Sequence, residues 1–387
     1  MRILHIITTV GTGGAERMLL NVVADGQRHG IDHAVVALRR DGMLAEPLRE
    51  AGARVWNCGL QAGHASLHAA RQIRRALITF APDIVQGWMY HGNLAACLAR
   101  TLGGAMPPFI WGIHHTVDDI NNEKRLTRGL IRLGASLSRW PSKIVYVSRA
   151  SHRQHRALGY YDERATIIPN GFDCRRFRPI PEAREELRRA LGLSPDTMVL
   201  GKVAVVRPMK DHANLPKACA LLKSRALPFH LVVIGRRASQ DNADLMRLIE
   251  ETGMGDRISL LGERHDMPAL MAALDVLVVS SAWGESFPIV LGEAMAAGVP
   301  CVTTDLGDSA WIVGDAGIVV PPRDPEALAE GMARLVTADV ETRRQLGMRA
   351  RARIAQNFGL ARAIERYHDL YHEIMLQGVA AVRATAT

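Results

Sequence analysis

Two carboxylates, Glu285 and Glu293, stand eight positions apart in the segment Trp283-Gly284-Glu285-Ser286-Phe287-Pro288-Ile289-Val290-Leu291-Gly292-Glu293. Eight residues span about two helical turns. With Ile289 to Ala297 helical, Glu293 lies in the first turns and Glu285 in the loop before them. A helix N-terminus offers unpaired N–H groups and a partial positive charge, which favour phosphate. A carboxylate on each side of such a site can grip the hydroxyls of a sugar and of a ribose. Upstream, Arg207 and Lys210 are three apart in a loop leading to a helix, where two cations can neutralise a diphosphate leaving group.

Further groups stand after strand-like runs. Gly11-Thr12-Gly13-Gly14-Ala15-Glu16-Arg17 has glycines that let backbone approach a ligand and leave N–H groups free at a helix start. As a dinucleotide fingerprint it is incomplete. Glu16 stands where the third glycine belongs, and Arg39 and Arg40 stand where the second strand should end in an acid. Trp111-Gly112-Ile113-His114-His115-Thr116 places two histidines in one loop, and His91 lies in Trp88-Met89-Tyr90-His91-Gly92-Asn93. Gly235 and the pair Leu261-Gly262 close two more apolar runs. No Asp-x-Asp triplet occurs, so the usual carboxylate site for a catalytic metal is missing. Five scattered cysteines with no C-x-x-C pair offer no zinc site and suit reduced thiols in a cytoplasm.

The elements that must position these groups alternate. Strand patterns at Ile3–Thr8, Ala34–Leu38, Arg54–Trp56, Ile84–Val85, Phe109–Gly112 and Ile144–Val147 are interleaved with helical ones such as Glu16–Arg28, Leu67–Phe80 and Asn93–Leu102. A second series holds Val199–Val205, His230–Ile234, Ile258–Leu260, Val276–Val279 and Cys301–Thr303. Each is a βαβ series and predicts a parallel, doubly wound sheet. The chain's 387 residues suffice for two such domains. Asn170-Gly171 and the prolines at 169, 179 and 181 mark a linker over about 169–181. The expected domains are therefore 1–170 and 180–358, with a C-terminal helical segment over about 360–387 returning to the first. No apolar run is long enough to span a bilayer, and the opening Met1-Arg2-Ile3-Leu4-His5-Ile6-Ile7 reads as a buried strand instead of a signal peptide.

The Glu285–Glu293 segment, with Glu293-Ala294-Met295-Ala296-Ala297-Gly298-Val299-Pro300 after it, resembles the Glu-x7-Glu motif of retaining nucleotide-sugar glycosyltransferases of family four, which have the GT-B fold. The stretch from Asp305 to Val320 is similar to that family's C-terminal signature, and the Gly-Gly-Ala-Glu loop to that of a bacterial, polysaccharide-type subgroup. The resemblance implies two Rossmann-like domains facing across a cleft, and metal-independent transfer from a UDP- or GDP-type sugar donor with no cofactor. Attack comes from the donor's leaving-group side with the leaving phosphate as base, and domain closure excludes water. It assigns Glu285, His115, Arg207 and Lys210 to catalysis, His115 in preference to His114. Gly13, Gly14, Glu293, Ser286, Phe287, Pro288, Ile289, Gly235 and Leu261 fall to donor binding, much of it through backbone, and His91 is a lesser candidate for acceptor contact. Three positions depart from the pattern: Val206 and Asp211 flank the cations where glycine is usual, and Pro288 removes one N–H donor.

Net charge is +9, unevenly placed. Residues 1–178 hold 24 Lys/Arg against 13 Asp/Glu, and residues 179–387 hold 24 against 26. A basic first half suits a phosphorylated acceptor or an anionic membrane, and Lys124–Leu133, with basic and apolar residues at helical spacing, suits the inner face of the cytoplasmic membrane. Plain arginine-rich composition reads equally well, since six of the 48 basic residues are lysine. The acceptor expected from the resemblance is a glycan or lipid-linked glycan of cell-surface polysaccharide synthesis. Two other classes stand beside it. A non-catalytic nucleotide-sugar binder would keep the fold, and an NADP-dependent oxidoreductase would explain the first glycine loop and Arg39/Arg40 but not the glutamate pair.

Overall fold

The computed structural model describes residues 1–11, 13–40, 42–60, 67–102 and 107–385. The chain divides into two compact units, Met1–Gly171 with Ala361–Thr387, and Phe172–Leu360. The first is built on β1 (Arg2–Ile7), β2 (Asp32–Ala37), β3 (Arg54–Asn57), β4 (Ile84–Trp88), β5 (Phe109–Ile113), β6 (Lys143–Tyr146) and β7 (Ala165–Ile167). Their order is β3-β2-β1-β4-β5-β6-β7, with every neighbouring pair parallel. Every residue of β4 and β5 is buried; β5 therefore reads as an unbroken apolar run, whereas Gln86 interrupts β4 and leaves only Ile84–Val85 showing as a strand in the sequence. Helix Leu67–Phe80 turns Ala69, Ile73, Ala76, Leu77 and Phe80 inward, the spacing of one helix face. The C-terminal segment is one helix, Leu360–Thr385. It buries Tyr367 and Tyr371 in this unit: Tyr367 stacks on Trp88 and the Tyr371 hydroxyl bonds to Gln86.

The second unit has β8 (Met198–Val203), β9 (Phe229–Ile234), β10 (Ile258–Gly262), β11 (Val276–Val279), β12 (Cys301–Thr304) and β13 (Gly317–Val320), in the parallel order β10-β9-β8-β11-β12-β13. β8 ends at Val203, two residues before its apolar run does, because the chain turns there into the loop that carries Arg207 and Lys210. β7, three residues long at a sheet edge, carries too short a pattern to stand out in the sequence, and β13 lies at the end of the stretch Asp305–Val320, which the sequence marks by its motif instead of by a strand pattern. In each unit the strand order reverses beside its first strand, between β1 and β4 and between β8 and β11. Open parallel sheets bind ligands at such points, outside the carboxyl ends of the strands.

Helix Ile289–Ala296 seats Glu293 by close packing. A Cβ at Gly292 would lie 2.1 Å from the Phe172 ring, which stacks on Phe287 in a cluster with Trp311 and Phe358. Gly292→Ala should therefore lower stability by about 1–3 kcal/mol through overpacking, although alanine favours a helix interior by about 1 kcal/mol. A denaturant midpoint equal to or above wild type would show that the ring moves aside freely.

Candidate functional site

The loops leaving β8 and β11 meet in the second unit. After β8, Arg207 opens a single 3-10 turn, Pro208–Lys210, and Asp211 follows in the left-handed region at φ +47°. After β11 come Ser280 and Ser281, then Gly284 at φ +74°, whose bare Cα lets the Met209 side chain approach. The Ala282 N–H bonds to the Met209 carbonyl at 2.9 Å and ties the two loops together. Across this seam Lys210 Nζ donates to Glu285 Oε1 at 2.5 Å, and Ser281 Oγ donates to the same oxygen at 2.5 Å. Glu285 is 6% exposed. A carboxylate so buried needs these donors, since burial without a partner is costly. Gly307 backs the loop at φ +58°, where a Cβ would lie 2.1 Å from the Glu285 carbonyl.

Pro288 is the N-cap of the next helix, so its missing N–H falls before the helical turn and leaves the first helical amides in place. Glu293 is buried one turn on, at 8% exposure. Ser286 and Ile289 are partly exposed at the entry to that helix. The Phe287 side chain is core, enclosed by three aromatic rings, so it offers a ligand backbone alone. The exits of β9 and β10 are stitched to the same end of the sheet: Gly235 N–H bonds to Gly262 O at 2.7 Å, and a Cβ at Gly235 would strike the Ala204 carbonyl at 2.2 Å. Leu261 is partly exposed beside them. Lys210, Glu285 and Ser281 are thus in contact, whereas Arg207 is exposed with no partner among the described residues.

Two groups escaped the sequence reading. Lys202, buried in β8, donates from Nζ to the Lys210 carbonyl and to Ser280 Oγ, both at 2.8 Å. His212 is buried with neither ring nitrogen bonded among the described residues, and burial, helped by Lys202 and Lys210, lowers it to about 3. The signal for Lys202 was present: a charge inside the apolar run Met198-Val199-Leu200-Gly201-Lys202-Val203.

In the first unit Gly13 is the N-cap of helix Gly14–Gly26, and Thr12 lies outside the described residues. Glu16 folds back so that Thr9 Oγ1 donates to it at 3.2 Å, and a Cβ at Gly13 would meet its carboxylate at 2.4 Å. After β5 the two histidines differ. His115 Nε2 bonds to Glu123 Oε1 at 2.8 Å. Both ring nitrogens of His114 are shielded, without a partner among the described residues, and burial lowers it to about 4. The expected preference for His115 thus meets a histidine already engaged. His91 is exposed. Among the described residues one group could hold a cation, Asp25, His29 and His368, with donor atoms within 4.8 Å of one another, and it includes no motif residue.

Two family models match: "Glycosyltransferase Family 4" over residues 12–176 and "Glycosyl transferases group 1" over 183–353. The putative glycosyltransferase EpsF of Bacillus subtilis is 27% identical over 79% of each chain. The lipopolysaccharide core biosynthesis mannosyltransferase LpsB of Rhizobium meliloti is 30% identical over 57% of this chain and 64% of its own. The crystal structure of Anabaena HepE in complex with UDP superposes with a TM-score of 0.81 at 22% identity, covering 96% of this chain and all of that one. The shared fold is GT-B, and neither the oxidoreductase nor the non-catalytic reading finds support among these relatives.

Removing Lys210 strands a buried carboxylate. Lys210→Met should cost about 1–3 kcal/mol of stability, and adding Glu285→Gln should recover most of it. Additive losses in a double-mutant cycle would mean that the pair is not coupled.

Proposed function

The chain belongs to the family-four glycosyltransferases, and within that family we propose a retaining, metal-independent transferase that takes its sugar from a UDP- or GDP-type donor. The observation that carries this reading is the Lys210–Glu285–Ser281 contact at the β8/β11 switch point, with helix Ile289–Ala296 opening beside it. Lys210, the exposed Arg207 and the first amides of that helix supply positive potential for a diphosphate. Glu293 accepts from ribose hydroxyls, and Glu285, when phosphate draws Lys210 away, accepts from the sugar. The EpsF and LpsB relationships and the UDP held by HepE support a nucleotide-sugar donor.

The reaction then runs as a displacement of nucleoside diphosphate. The acceptor hydroxyl bonds to the anomeric carbon from the face that the phosphate leaves, and its proton passes to the departing phosphate oxygen. Charge on that phosphate is met by fixed cations and amides, so no metal is required of the protein; such electrostatic stabilisation is usually the largest catalytic contribution. Gly13 and Gly14, at the start of their helix, offer backbone for contact with an anion. His115, partly exposed and oriented by Glu123, is better suited than His114, whose ring nitrogens are shielded, to bond a sugar hydroxyl. Gly235 and Leu261 wall the base, and His91 serves the acceptor. The acceptor is a glycan or lipid-linked glycan of surface polysaccharide.

Contact with an anionic membrane falls to helix Arg125–Leu137, which exposes Leu126 and Leu133 beside Arg125 and Arg132, with Trp140 exposed just beyond it. No helix among the described residues is long and apolar enough to cross a membrane.

Lys210→Ala should cut kcat on the order of 10²–10³ with a smaller change in donor KM, whereas Glu293→Ala should mainly weaken nucleotide binding. Wild-type kinetics in both would remove the site assignment. Product anomeric configuration, followed by NMR during turnover, should match the donor's; inversion would refute the retaining mechanism. Vesicles containing anionic lipid should retain the protein at low salt and release it at high salt, and Leu126→Ser/Leu133→Ser should abolish retention. Equal retention of that variant would exclude this helix.

A further inference from the structure

Lys202 is among the largest fully buried side chains of the described residues, at 1% exposure, and none of their carboxylates bonds to it directly. Its Nζ touches the Lys210 carbonyl and Ser280 Oγ, and Ser280 Oγ in turn donates to the Asp211 carbonyl at 3.2 Å. These three bonds pin the C-terminal end of the turn 208–210, at Lys210 and Asp211, to the end of β11. Met198–Val203 otherwise supplies apolar side chains, so an apolar residue at 202 would serve packing alone. A charge kept in a dry core lowers stability, and natural chains accept such losses chiefly at functional sites.

We propose that Lys202 is a positioning residue for the donor site: its buried amino group fixes the turn that carries Lys210, and its charge adds to the positive potential beneath the diphosphate. This rests on the donor-site reading above. The titratable groups facing it are Lys210, Asp211 and His212 from the β8 loop and Glu285 from the β11 loop. Burial first, then Lys210, lowers Lys202 to about 7, against the opposing pull of Glu285 and Asp211. His212 is held at about 3 and stays neutral across the range in which Lys202 titrates. Two N–H donors suffice for both hydrogen bonds, so the neutral amine keeps the turn in place while losing the charge.

The sign of the pH effect follows. The folded value lies below the ordinary 10.5 of lysine, so between about 7 and 10.5 the unfolded chain binds the extra proton. Stability therefore rises with pH through that window, and the cost of the buried charge is present in full below it.

The test compares wild type, Lys202→Met and Lys202→Arg by calorimetric binding of UDP-glucose and GDP-mannose, whose diphosphates do not ionise between about pH 6 and pH 9, and by melting over the same range. Wild-type affinity for the accepted donor should fall as pH rises through about 7. Lys202→Met should bind about 10- to 100-fold more weakly near pH 6, with no pH dependence, and Lys202→Arg should recover part of the loss. The melting temperature of Lys202→Met should gain on wild type as pH falls from about 9 to about 6. Unchanged affinity and pH profile in Lys202→Met would overturn the proposal. So would a melting loss of equal size at every pH, with binding lost in proportion, since that is what a purely structural lysine gives. If wild type binds neither donor, the donor-site reading itself fails and takes this inference with it, even where the melting comparison behaves as expected.

Discussion

A carboxylate carried into a protein interior must take its donors with it, and Glu285 sets that condition for the second unit. Its partners come from two loops, Lys210 after β8 and Ser281 after β11, so those loops have to close on one another. The rest of the local architecture serves that closure. The bond from Ala282 to Met209 joins the loops, Gly284 and Gly307 remove the side chains that would hold them apart, and Lys202 with Ser280 holds the turn from below. A charged pair placed this way contributes little to stability. Under the proposed function its value lies in an arrangement in which a cation can be drawn off by a stronger anion, leaving a carboxylate oriented for hydroxyls.

The sequence carried the two parallel sheets because buried parallel strands are near-continuous apolar runs, and β5 and β11 stand out as such. It carried the glutamate pair because Glu285 and Glu293 sit among residues whose types are dictated by backbone: Gly284 and Gly298 at positive φ, and Gly292 against Phe172. What it did not carry were relations across loops. That Lys210 reaches Glu285 and Arg207 does not depends on how one 3-10 turn faces its neighbour, and spacing of three residues says nothing of that. Spacing alone does not separate His114 from His115, and the preference for His115 comes from the family resemblance. They separate once Glu123, eight residues on, is seen to take His115. The edge strand β7 was illegible for a simpler reason, its three residues being too few to show a period.

The family relationship and the geometry bear on different parts of the account. Two family models spanning 12–176 and 183–353 fix the class of reaction and the GT-B fold. The chemistry of the particular site comes from this chain's own departures from the common pattern. Pro288 caps its helix without removing a helical amide, and Asp211 takes a left-handed conformation where glycine is usual. The site thus keeps its donors while changing the residues that frame them.

The most direct test of the central claim, that the β8/β11 loops form a metal-independent nucleoside-diphosphate site, is a thermal-shift panel of UDP, GDP, ADP, their sugar conjugates, NADH and NADPH, each with and without EDTA. The account predicts a rise in melting temperature with one nucleoside diphosphate and its sugar conjugates, unchanged by EDTA; at saturation a hundredfold above Kd, ligand binding adds about 2.7 kcal/mol. A response to NADPH alone, a response abolished by EDTA, or no response to any nucleotide would contradict it.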